Sequence, residues 1–225
     1  RKDAVSSGLP EEEKPLRSGG YGPTAYAEAV GVFLAFAVDK LLARSTTICS
    51  WEAGYQKIQH TFGRQALSMI WDYAEGNPFS DSTGNFNALL SGVQKCVNIG
   101  CPDPQGHAIQ ENAAEQTLSS DKVISTDPPY YDNVPYADLS DFFYVWLRRI
   151  LKPIFPNLFM MMAVPKVEEL VATSYRHDGK EKAGQFFLEG MTGAMNRLAK
   201  HGHPAFPVTI YYAFKQTESD GIDGL

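Results

Sequence analysis

Residues 25–43 place apolar side chains at nearly every position, and the window 29–38, AVGVFLAFAV, offers no polar face. A stretch apolar all round reads as a core helix. This window is too short to span a bilayer and lies between Glu28 and Asp39. Thr24 stands where a cap belongs. Helical spacing returns over residues 59–74, ended by Gly76-Asn77-Pro78, and again over 85–99, 139–151 and 181–200. In the 139–151 segment Asp138 is the expected cap, Asp141 lies in the first turn, and Arg148 and Arg149 lie in the last, complementing the helix dipole. Short β-branched or aromatic runs at 45–51, 107–110, 122–126 and 207–214 predict strands. Strands alternating with helices predict an α/β fold with a mostly parallel sheet and flanking helices. Residues 1–23, rich in charge, Gly, Ser and Pro, read as a linker or mobile arm, and 24–225 as one domain. There is no internal repeat.

The run 123–130 is Val-Ile-Ser-Thr-Asp-Pro-Pro-Tyr. Val123 and Ile124 favour a strand, and Pro128 cannot continue one. The prolines fix φ at 128 and 129 and push Asp127 to an extended backbone, so the carbonyls there point in set directions. In an open α/β sheet, ligands bind at this carboxyl end of the strands. A planar amine on an aromatic ring suits the loop. The Asp127 carboxylate accepts one N–H, the Pro128 carbonyl accepts the other, and the Tyr130 ring supplies a face for stacking. Two fixed acceptors draw such a nitrogen toward tetrahedral geometry and aim its lone pair, a gain in orientation and preorganised electrostatics. A base inside a duplex cannot reach the loop, so the target is expected flipped out or unpaired. The plainer alternative is a strand-ending turn with a satisfied Asp cap.

Asp127-Pro128-Pro129-Tyr130 resembles the catalytic motif of the amino-group DNA methyltransferases, which act on adenine N6 or cytosine N4. Residues 125–148, STDPPYYDNVPYADLSDFFYVWLR, resemble more narrowly the large adenine-specific DNA methylases that carry a domain of unknown function near the N terminus. Weaker likeness extends over 24–79 and 165–216. The resemblance implies a Rossmann-like fold dependent on S-adenosylmethionine, with Asp127, Pro128, Pro129 and Tyr130 catalytic and DNA as partner. Tyr131, Asn133 and Tyr136 follow the motif as candidate base-pocket or strand-guiding residues. Packing beneath the loop is an equal reading for Tyr136.

The cofactor's glycine-rich turn has no good copy here. Ser18-Gly19-Gly20-Tyr21-Gly22 follows no apolar strand. Residues 77–84, NPFSDSTG, resemble the family's Asp-Pro-Phe-x-Gly-Ser-Gly-Thr loop, but Asn77 and Asp81 replace Asp and Gly, and helix rather than strand is expected before them. A capping loop is the better reading. The expectation is therefore an incomplete methyltransferase domain whose main S-adenosylmethionine loop lies outside this chain. Asn112 stands where the family carries an acidic residue near the cofactor adenine; a turn role suits it equally.

Composition narrows the setting. The chain has 225 residues, 44% of them apolar, with a net charge of −6. That size suits one core, and the charge argues against a uniformly basic nucleic-acid surface while leaving room for a local one. Three irregularly spaced cysteines, Cys49, Cys96 and Cys101, suit reduced thiols in a cytoplasmic protein better than a disulfide framework or a zinc site. His201-Gly-His203 reads as a loop after a helix, and no metal is assigned. No signal peptide or membrane span is expected. Arg64, Lys166, Arg176, His177 and Lys180 are candidate phosphate contacts, although each taken singly is better read as a solvated surface charge. Phe142, Phe143, Val145, Trp146 and Leu147 are expected in the helix core. Alternatives from other classes are methylation of RNA bases or of protein glutamine, and a non-catalytic nucleic-acid-binding or scaffold domain.

Overall fold

The computed structural model describes residues 1–63, 66–100, 106–132 and 134–212. Two compact units partition the chain. The first comprises Arg1–Gly106 and Tyr136–Pro165, and the second His107–Pro135 and the described part of Lys166–Leu225.

The first unit is built around the apolar helix. It holds α1 (Lys2–Ser6), α2 (Pro23–Leu42), the two-residue strands β1 (Trp51–Glu52) and β2 (Lys57–Ile58), and helix α3 (Phe86–Ile99). Helix α2 starts one residue before Thr24, with Pro23 at its first turn and Gly22 at the cap. Proline suits that place because its missing N–H would have had no helical partner. Asn85 caps α3, its side chain accepting from Ala88 N at 2.8 Å. Strands β1 and β2 pair antiparallel, Trp51 opposite Ile58. Residues 1–23, read from sequence as an arm, carry α1 and a 3-10 turn laid against α2. Leu16 N donates to Glu28 Oε2 at 2.7 Å, Tyr21 N donates to Glu12 Oε2 at 2.9 Å, and Ala4 is buried.

Also in this unit is helix α4 (Tyr136–Leu151), which begins directly after Pro135. Asp138 therefore lies inside its first turn, where its charge still favours the dipole, rather than at the cap. Tyr144, Leu147, Ile150, Leu151 and Ile154 recur at helical spacing and close on Ala35 and Phe159, the core of the unit. The opposite face is open: Val145 is 57% and Trp146 40% exposed, against the expectation that both are core. Phe142 and Phe143 do pack, meeting Phe62 at ring distances of 5.4 Å.

The segment 59–74, expected as helix, forms neither helix nor strand among its described residues. Its amide groups bond elsewhere. Thr61 N donates to Ala43 O at 2.7 Å and Ala74 N to Cys49 O at 2.8 Å. The Thr61 hydroxyl is buried against Thr46 Oγ1 and Cys49 Sγ. Such tertiary bonds outweigh helix propensity, which is worth at most about 0.7 kcal/mol for an ordinary residue.

The second unit contains β3 (Ser125–Thr126), a 3-10 turn at Ser174–Arg176, α5 (Lys180–His201) and β4 (Thr209–Ile210). Strands β3 and β4 pair parallel, Ser125 opposite Thr209 and Thr126 opposite Ile210. This is the only parallel ladder among the described residues, and both strands are shorter than expected. Residues 107–110 form no strand. Ile124, Val134, Val171, Ala172, Ala183 and Ala194 are buried. No helix among the described residues is long and apolar enough to cross a membrane.

Candidate functional site

The Asp-Pro-Pro-Tyr loop leaves the carboxyl end of β3, as its strand-then-proline sequence requires. The ladder anchors it: Thr209 N donates to Ile124 O at 3.0 Å, and Tyr211 N to Thr126 O at 2.8 Å. Ile124 is buried, Pro128, Pro129 and Tyr130 are half-buried, and Asp127 is exposed. The loop therefore stands on a fixed base with its carboxylate open to solvent. The Tyr130 hydroxyl donates to Asp127 Oδ1 at 2.8 Å. An ionised carboxylate has about four lone-pair positions, so one such donor leaves Asp127 able to accept from an amine.

Tyr130 also meets Tyr212, ring centroids 5.4 Å apart and planes at 82°. Tyr212 was not among the sequence candidates. The available signal was positional, because an aromatic just beyond the carboxyl end of the neighbouring parallel strand shares the ligand-binding edge.

Tyr131 takes φ +31°, unusual for a bulky residue. Two contacts hold it there. Its carbonyl accepts from Ala172 N at 2.8 Å, and its ring stands edge-on to Phe187 at 5.2 Å. Strained backbone of this kind costs about 1–3 kcal/mol and persists where the surroundings impose it. Tyr131 thus points into packing with α5 through its ring while its backbone turns the chain after Tyr130. Asn133 lies outside the described residues. Tyr136 opens α4 in the other unit and is 43% exposed.

Asn112, expected near the cofactor adenine, is exposed and folded on itself. Its Oδ1 accepts from Ala114 N at 3.0 Å and its carbonyl from Glu115 N and Gln116 N. That is an Asx turn. In the loop 77–84, Asn77 Oδ1 accepts from Phe79 N, the Ser80 hydroxyl bonds to Asn77 O, and Gly84 takes φ +87° just ahead of the Asn85 cap. No strand leads directly into it, since the described residues 66–76 form neither helix nor strand. In both segments the side-chain oxygens of Asn77 and Asn112 and several backbone amides are engaged in local turns.

The charged candidates scatter. Arg176 turns inward, its guanidinium on Glu169 and on Lys166 O, with side chains only 7% and 13% exposed. His177 stacks on Phe186 at 4.1 Å. Lys180 is exposed at the start of α5, and Arg64 lies outside the described residues. His201 Nδ1 shares a hydrogen bond with Ser120 Oγ at 3.2 Å, 81 residues away in sequence, and His203 Nδ1 accepts from Ala205 N at 3.1 Å. Comparison with protein-family models, curated proteins and solved structures finds no match to this chain.

Proposed function

We propose that this chain belongs to a methyltransferase acting on the exocyclic amine of a DNA base, adenine N6 first, and that it supplies the wall that holds the amine. What carries the reading is the loop 127–130 at the carboxyl end of a strand in a parallel pair, with an exposed carboxylate bonded to the tyrosine three residues on. Asp127 accepts one N–H of the amine and the Pro128 carbonyl the other. Tyr130 stacks on a base that is flipped out or unpaired. The fold around it is read as Rossmann-like. The methyl donor for such chemistry is S-adenosylmethionine, and no residue described here is assigned to holding it.

The test is transfer of labelled methyl from S-adenosylmethionine to DNA, RNA and protein by the full-length protein and its Asp127→Ala variant. DNA is the expected acceptor, and the variant is expected to lose at least about 100-fold, as when one preorganised partner is removed from a reacting group. Undiminished transfer by Asp127→Ala refutes the assignment. Transfer to RNA or glutamine alone moves the substrate class.

A further inference from the structure

We infer that Tyr212 is a positioning residue for the amine-holding loop: its ring sets the plane of Tyr130, and the Tyr130 hydroxyl sets the Asp127 carboxylate. The inference rests on the function proposed above.

Two contacts among the described residues hold Tyr130. A tyrosine held only through its hydroxyl can still swivel about the ring axis, and one held only through its ring leaves the hydroxyl's partner unspecified. Here the hydroxyl is on Asp127 Oδ1 at 2.8 Å and the ring stands edge-to-face with Tyr212 at 5.4 Å. Edge-to-face geometry is the arrangement that the ring quadrupoles favour. Tyr212 is itself placed by the ladder, since the adjacent Tyr211 N donates to Thr126 O. A chain of fixed contacts thus runs from β4 through two rings to the carboxylate. With Oδ1 already receiving the hydroxyl, Oδ2 is the oxygen left wholly open to the amine, which gives the amine a defined direction of approach. No contact of Tyr212 with the base is needed.

Two readouts test this, the first without nucleic acid. The carboxyl carbon resonance of Asp127 is expected to move in Tyr130→Phe, which keeps the ring and loses the hydroxyl. It is expected to move in the same direction in Tyr212→Leu and to stay in place in Tyr212→Phe. An unmoved Asp127 resonance in Tyr212→Leu overturns the inference, as does a Tyr212→Phe change as large as that of leucine. The second readout is binding of a single-stranded oligodeoxynucleotide carrying one adenine beside a 2-aminopurine, followed by quenching of the 2-aminopurine. Tyr212→Leu is expected to bind three- to tenfold more weakly, about the range an aromatic pair contributes, with shallower quenching at saturation and unchanged far-ultraviolet dichroism. Tyr212→Phe is expected within twofold of the parent. Equal binding and quenching by Tyr212→Leu overturns the inference even where Asp127→Ala abolishes binding. Binding that survives Asp127→Ala overturns the parent function while the resonance data still decide the contact chain.

Discussion

Replacing Arg176 by alanine tests how the second unit holds the strained turn after the motif. The guanidinium pairs with Glu169 and also donates to Lys166 O at 3.1 Å, with both charged side chains nearly buried. Between the two partners lies Ala172, whose amide fixes the Tyr131 carbonyl. Truncation leaves the Glu169 carboxylate buried without its guanidinium, and breaking such a pair from one side costs about 3–5 kcal/mol. For a protein of this size each kcal/mol is about 2–4 °C, so a fall of about 6–20 °C in melting temperature is expected. Thermal unfolding followed by dichroism measures it. The internal control is Lys182→Ala, because the Asp178–Lys182 pair at 3.6 Å has side chains 69% and 89% exposed and belongs to the class worth about 0–1 kcal/mol. The double variant Arg176→Met, Glu169→Leu is expected to recover most of the loss, since no charge is then stranded. If Arg176→Ala costs no more than Lys182→Ala, the buried-pair argument is wrong.

Asp39, with Oδ1 unpartnered in the first unit, has its carboxyl raised by burial from 3.8 to about 6. Between those values the folded state holds a proton that the unfolded chain has lost, so stability falls as pH rises through about 4 to 6 and levels off above. Asp39→Asn is expected to stabilise by about 1–2 kcal/mol at pH 7, after allowance for solvent screening, and by almost nothing at pH 4; urea titrations at the two values check the difference. Gly22→Ala tests whether residues 1–20 are anchored, since an added Cβ there collides with the Glu12 backbone. If local opening becomes easier by about 1.4 kcal/mol, tryptic cleavage after Arg17 speeds up about tenfold. Unchanged cleavage would show that the segment opens independently of Gly22.

Periodicity located four helices within a few residues of their ends, yet α2, expected to be core all round, buries only small residues and Pro23 and leaves Tyr26, Phe33 and Phe36 exposed, and α3 has no buried residue. The turn at 127–130 was legible because two consecutive prolines leave the backbone little choice. The segment 59–74 misled because the amides of Thr61 and Ala74 find Ala43 and Cys49, partners that no local pattern reveals, while Leu67, Met69 and Trp71 stay exposed. Trp146 was read as core from composition, while the core face of α4 passes through Tyr144, Leu147 and Leu151 instead. Asp127 and Tyr130 were found as candidates, but their hydrogen bond and the Tyr212 contact depend on a strand pairing that joins distant parts of the chain.

That pairing also sets a timetable. Ser125 and Thr126 meet Thr209 and Ile210 only after the intervening chain has been made and gathered in. Long-range parallel pairing of this kind pays its loop-closure entropy before any contact rewards it, and so forms slowly. During synthesis, Asp127 and Tyr130 emerge early yet wait for Tyr212. Helix α5 can wind while the loop is still loose, and the framed loop 127–130 is among the last parts of its unit to be completed. A chain stopped short of residue 209 would carry the whole motif and still lack its frame.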